Sequence, residues 1–150
     1  MYFASYGLVE NCTIVSNSAS SGGGGVYMAS SSTGTGIVRN CIIYANMKGT
    51  AVNNYSNSPV GLYYNCCTTP TNDPGFQGSG NIDANPQLAN FAGGNYRLTA
   101  TSPCLNTATN LSWMTNSVDL DGRRRIERLT GQVDMGCYEY IFSGTMFGVR

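Results

Sequence analysis

The chain has 150 residues, enough for one domain with a packed core, and it balances 8 basic against 8 acidic residues. Zero net charge leaves no field to hold nucleic acid or an anionic membrane, and no apolar run reaches the ~20 residues of a membrane span. Charged residues make up 11%, less than half the usual ~25%, so the surface is neutral and rich in Gly, Asn, Ser and Thr.

The opening "MYFASYGLVE" lacks the basic and apolar segments of a secretion signal. A repeat is already under way at Gly7, so we expect a C-terminal piece of a longer protein, with any signal lying upstream. "GLVENCTIVSN" from Gly7 is echoed by "GIVRNCIIYAN" from Gly36 and by "GLYYNCC" from Gly61. Cys12 and Cys41 are 29 residues apart, and Cys41 and Cys66 are 25 apart, a period that marks stacked supersecondary units. Leu8, Ile37 and Leu62 share one column; Ile14 and Ile43 share another, which Thr68 continues weakly.

The apolar runs are short, β-branched or aromatic, and bounded by Gly, Asn and Ser, including "GGGGVYMAS" from Gly22 and "GTAVNNYSN" from Gly49. They predict strands, and the whole predicts an all-β parallel solenoid. With coils ~4.8 Å apart, like residues stack on like. Asparagine tolerates the left-handed backbone of a sharp bend and can donate to and accept from its neighbour, so Asn11, Asn40 and Asn65 predict a corner ladder. Cys12, Cys41 and Cys66 beside it predict inward-facing free thiols. Six cysteines are few for a disulfide scaffold, and without His or CxxC a zinc site is a poor reading. Glu10 and Arg39 fall in register as a cross-coil ion pair of little weight.

We divide the chain into coils over 1–69, final coil and cap over 70–140, and a tail over 141–150. After Cys67, Pro70, Pro74, Gly75, Gly78, Gly80 and Pro86 punctuate a loop. Tyr96 and Leu98 alternate as in a strand. "DLDGRRRIERLTGQVDMGCYEY", with a turn at Asp121-Gly122 and alternating Val133, Met135 and Cys137, predicts a hairpin-like cap over the solenoid end. Asp119, Asp121 and Asp134 could supply oxygens to Ca2+. The spacing departs from an EF-hand loop, and Arg123, Arg124 and Arg125 favour a salt-bridged turn instead.

With "GLVENC", "GIVRNC", "NPQL", "YRLTATSPCLN" and "DLDGRRR…GQVDMGCYEY", nearly the whole chain resembles the C-terminal part of bacterial right-handed parallel β-helix proteins. These belong to the pectate-lyase-like superfamily, of the "choice-of-anchor Q" type. The closing motif matches at Asp119, Asp121, Gly122, Arg125, Asp134, Gly136, Tyr138 and Glu139. Asn106, Ala108 and Cys137 depart from the family's Asp, Gly and Ala, and the lost Asp weakens a metal there. Cys137 raises the prospect of a bond to Cys104 that would staple the cap. The resemblance implies a secreted or cell-surface bacterial protein, but fold does not fix a reaction.

Residues 1–69 carry only Glu10, Arg39 and Lys48 as charges, and one acid cannot perform two-carboxylate hydrolysis. With no His either, we expect no catalytic residue in this segment. Tyr27, Tyr44, Tyr55, Tyr63 and Tyr64, beside Asn and Ser, suit a neutral glycan as a set, although packing is the better explanation of each alone. The expectation is a non-catalytic scaffold or adhesin-like module with a carbohydrate partner, and self-association through the open first coil. The alternative is the end of a polysaccharide lyase or glycoside hydrolase whose active site lies upstream.

Overall fold

Runs such as Thr13–Val15 and Ile42–Tyr44 are too short for a helix and β-branched enough for a strand, and the backbone of each is extended. The structure is a computed structural model that describes residues 1–4, 6–29, 36–57, 61–72 and 76–142. Pro74 and Gly75 of the expected loop, and residues 143–150 of the expected tail, lie outside the described residues.

The strands arrange in successive layers. The first holds β1 (Tyr2–Phe3), β2 (Gly7–Glu10), β3 (Thr13–Val15) and β4 (Ser18–Ala19). The second holds β5 (Val26–Met28), β6 (Gly36–Arg39), β7 (Ile42–Tyr44) and β8 (Met47–Lys48), on which β9 (Ala51–Val52) folds back antiparallel. The third holds β10 (Tyr55–Asn57), β11 (Gly61–Tyr64) and β12 (Cys67–Thr68), and β13 (Phe76–Gln77) begins a fourth.

Every pairing between layers is parallel, giving sheets β1-β5-β10, β13-β11-β6-β2 and β12-β7-β3. All four first-layer strands are sheet edges. Two further strands, β14 (Leu88–Asn90) and β15 (Asn95–Leu98), pair antiparallel. The one helical element among the described residues is a 3-10 segment, Ser112–Asn116. The fold is therefore all-β, built on parallel sheets.

Register follows the repeat: Leu8, Ile37 and Leu62 align, and so do Val9, Val38 and Tyr63. Because side chains alternate along a strand, the Leu8 column faces outward and the Val9 column inward. Val9, Ile14, Val26, Met28, Val38, Ile43, Tyr55, Tyr63 and Phe76 meet in a first core. The glycine run ahead of β5 serves a close approach across the second layer: a Cβ on Gly24 would lie 2.3 Å from the Met47 carbonyl oxygen.

Sheet β12-β7-β3 is buried on both faces, which accounts for unbroken apolar runs such as "CIIY". Ile43 enters the first core, whereas Ile42 and Cys67 enter a second with Leu98, Cys104, Ala108, Met114, Val133 and Met135. The adjacent Cys66 and Cys67 thus serve two cores. Residues 76–82 of the expected final coil stack on the third layer, and residues 98–135 lie along the outer face of this sheet, over Ile42 and Cys67. The expected hairpin reduces to isolated antiparallel bridges, Ala108 with Val133 and Val118 with Arg124.

The Ile14, Ile43 and Thr68 column ends on a fully buried hydroxyl, and Thr68 Oγ1 has no hydrogen-bond partner among the described residues. Thr68→Val keeps the shape and removes that desolvated group. We expect it to raise stability by about 1–2 kcal/mol in urea unfolding, and a loss of stability would show that the hydroxyl is satisfied.

Candidate functional site

Each layer turns sharply where its outward-facing four-residue strand ends. Asn11, Asn40 and Asn65 stand there with φ of 47°, 57° and 51°, left-handed values that asparagine tolerates better than other chiral residues. Gly80, with φ 73°, holds the same place in the fourth layer, because Asn65 N donates to Ser79 O just as Asn40 N donates to Tyr64 O. A Cβ on Gly80 would lie 2.5 Å from Asn65 Nδ2, so only glycine fits.

The ladder has one direct rung, Asn40 Nδ2 to Asn11 Oδ1 at 3.1 Å. Asn65 does not continue it. A strap, residues 107–113, instead crosses the corner from the third layer to the first. Asn65 Nδ2 donates to Thr107 O at 3.1 Å, Asn40 Nδ2 to Thr109 O at 2.8 Å, and Thr109 N to Asn40 Oδ1 at 2.9 Å. At its far end Trp113 Nε1 donates to Glu10 Oε2 at 2.9 Å. Glu10 also pairs with Arg39 across the first two layers.

A second asparagine column went unread in the sequence. Asn17 Nδ2 donates to Asn46 Oδ1 at 2.9 Å, Asn46 N to Asn54 Oδ1 at 3.0 Å, and Asn54 Nδ2 to Thr69 O at 3.0 Å. It follows a second left-handed corner at Ser16 and Ala45. The in-register "VSN" and "YAN" endings of the first two repeats carried that signal.

Between the strap and the four-stranded sheet lies a groove of ≈350 Å³ lined by Arg39, Tyr64, Asn65, Ser79, Thr109 and Leu111. Glu10, Arg39 and Tyr64 align on the outer face, so strand alternation alone turns the Tyr64 ring toward the groove. Its walls combine a half-buried aromatic ring, an amide, two hydroxyls and a guanidinium.

The other tyrosines separate from this site. Tyr27 lies against Tyr2, with ring centroids 5.4 Å apart, in a second groove of ≈440 Å³ at the first-layer edge. Tyr44 meets Phe91 edge-on at 6.2 Å. Tyr55 and Tyr63 are core residues, 6% and 0% exposed, which removes them from the glycan-contact set. Tyr63 stacks on Phe76 at 4.1 Å, and Tyr55 packs on both rings, because these residues take the inward positions of their strands.

Asp119, Asp121 and Asp134 do not converge on a cation. Among the described residues no three His, Cys, Asp or Glu side chains are grouped to hold a metal. Asp119 accepts backbone N–H bonds from Asp121, Arg123 and Glu139, and Asp134 accepts them from Asn106 and Tyr140. Exposed Asp121 pairs with Arg97, whose guanidinium holds the carboxyl below its usual range. These carboxylates pin the closing loops, and their oxygens are already occupied by donors. Cys104 packs against Cys67, and Cys137 donates its backbone N–H to Thr13 Oγ1; no Cys104–Cys137 bond is formed and all six cysteines are free thiols.

Comparison of the chain with protein-family models, with curated proteins and with solved structures found no match.

Two consequences can be measured. Asn40→Ala removes three hydrogen bonds and forces alanine into a left-handed corner. We expect a loss of about 2–4 kcal/mol, with Asn40→Gly about 1 kcal/mol less harmful; equal losses would deny the backbone contribution. Glu139 is buried with Arg125, whose Nη1 lies 3.2 Å from its carboxylate. Burial outweighs the pairing and raises its pKa from 4.5 to about 8, and burial also raises that of Asp134. The folded state therefore holds a proton that the unfolded state releases. The corresponding stability is complete below pH 4.5 and lost as pH rises through about 8. In denaturant titrations across that window Glu139→Gln should flatten the decline; an unchanged slope would contradict the assignment.

Proposed function

We propose that the chain is part of a right-handed parallel β-helix resembling the pectate-lyase-like proteins, and that it acts as a non-catalytic, secreted or cell-surface scaffold whose corner groove receives carbohydrate. Three parallel sheets and the recurring left-handed asparagine corner support the β-helix reading. The groove at Tyr64 is the observation that carries the functional reading. A sugar ring offers an apolar face and a rim of hydroxyls. Tyr64 and Leu111 match the face, and Asn65, Ser79 and Thr109 match the rim.

The charge distribution favours binding over cleavage. Glu10 is the only acid among residues 1–69, and Arg39 and Trp113 already engage it. Hydrolysis by a carboxylate pair has no second member there. A neutral, hydroxyl-rich surface offers hydrogen-bond donors and acceptors to a neutral glycan.

A glycan array followed by affinity electrophoresis tests this reading. We expect retention of the full chain on at least one polysaccharide, and about 3- to 10-fold weaker retention of Tyr64→Ala, in line with loss of one aromatic contact. Tyr27→Ala, at the other groove, should be retained normally. No retention by the unsubstituted chain, or full retention of Tyr64→Ala, defeats the proposal; shortened products in the same gels would favour an enzyme.

A further inference from the structure

Cys12, Cys41 and Cys66 each follow a corner asparagine, and their thiols repeat one geometry. Cys12 Sγ donates to Glu10 O at 3.2 Å, Cys41 Sγ to Arg39 O at 3.2 Å, and Cys66 Sγ to Tyr64 O at 3.5 Å. The next residues, Thr13, Ile42 and Cys67, pair in parallel register, so each cysteine stands over the next. The backbone N–H of Cys12 meets Cys41 Sγ at 3.4 Å. A layer spacing of ~4.8 Å falls within the ~4.4–6.8 Å Cα separation that a disulfide spans.

Exposure grades along this file. Cys41 and Cys66 are 0% exposed, whereas Cys12 is only partly buried. Cys12, in the first described layer, is the partly exposed member of this row of free thiols, and the Cys41 thiol is the next in it.

We propose that Cys12 is a site of oxidation by hydrogen peroxide and that Cys41 resolves it, closing a disulfide between the first and second layers. The Cys12 thiolate attacks one peroxide oxygen; an S–O bond forms, the O–O bond breaks, and the departing hydroxide takes a proton to become water. Cys12 is then a sulfenic acid, oxidised by two electrons as the peroxide is reduced. The Cys41 sulfur attacks Cys12 Sγ, an S–S bond forms, the S–O bond breaks, and the departing hydroxide takes the Cys41 proton as a second water.

Acidity agrees with this order. The hydrogen bond from Cys41 draws the Cys12 thiol down to about 7 against the effect of burial, and Arg125 acts in the same sense. Burial raises the Cys41 thiol, so Cys12 is the more acidic of the two. The buried pair Cys67 and Cys104 offers sulfur contact without solvent access and stays reduced in the folded protein.

The experiment treats the reduced full chain with hydrogen peroxide, alkylates it in denaturant and maps the peptides. We expect one linked peptide joining Cys12 to Cys41, with Cys66, Cys67 and Cys104 recovered as alkylated thiols. In Cys41→Ser, Cys12 should accumulate a dimedone adduct; in Cys12→Ser, Cys41 should remain reduced. Recovery of both thiols in the unsubstituted chain, arrest of Cys12 at the sulfenic acid beside reduced Cys41, or oxidation of Cys41 in Cys12→Ser would overturn the proposal. Should Cys41→Ser fail to fold, the map of the unsubstituted chain decides.

Discussion

The constraint on which the structure rests is the corner. A chain that lays each pass directly against the previous one must bend at the same place in every layer, and there the backbone enters a region that most chiral residues avoid. Asn11, Asn40 and Asn65 accept that conformation, and Gly80 takes over where the fourth layer leaves no room for a side chain. An alanine here would meet the backbone cost with nothing in return. Asparagine returns a polar side chain that bonds either to the layer above or to the strap.

The strap exists because stacking leaves business unfinished. Asn65 gives its side-chain amide to Thr107 and leaves Asn40 a bond to find elsewhere, and strands β3, β7 and β12 present Ile42 and Cys67 away from the first core. Residues 104–135 answer both needs, donating and accepting at Asn40 and Asn65 while covering the outer face of the sheet. Further on, Asp119, Asp134 and Glu139 hold the closing loops through backbone N–H groups, and Arg125 sits among them with Nη1 on the Gly136 carbonyl at 3.0 Å. Carboxylates that would suggest a cation site in a list of residues act here as loop pins, since each oxygen has a donor in reach.

The same geometry creates the groove and the thiol file. A strap that crosses three layers leaves a trough where it departs from the sheet, and Tyr64 enters that trough because it is an outward position on its strand. One residue past each corner, three sulfurs stack for the same reason that the amides do. Vertical registry therefore places the candidate glycan contacts and the oxidisable pair within one corner of the molecule, with Glu10 joined to both Arg39 and Trp113 beside them.

The sequence by itself determined what depends on local conformation and on repetition: short β-branched strands, left-handed asparagines, and columns such as Leu8, Ile37 and Leu62. Those are legible because a residue type recurring once in every layer meets its own kind. Tertiary structure decided the rest. Tyr63 and Tyr64 are neighbours of one chemistry, yet alternation and the Phe76 ring bury the first and leave the second at the groove. Cys104 faces Cys67 instead of Cys137, and Asn65 bonds Thr107 instead of Asn40, because residues 104–113 approach from a part of the chain with no period to reveal where it packs. Contacts between a repeating and a non-repeating segment leave no mark in either one alone; they appear only when the exposed face of a sheet, and the spare hydrogen bonds of its corner, find what covers them.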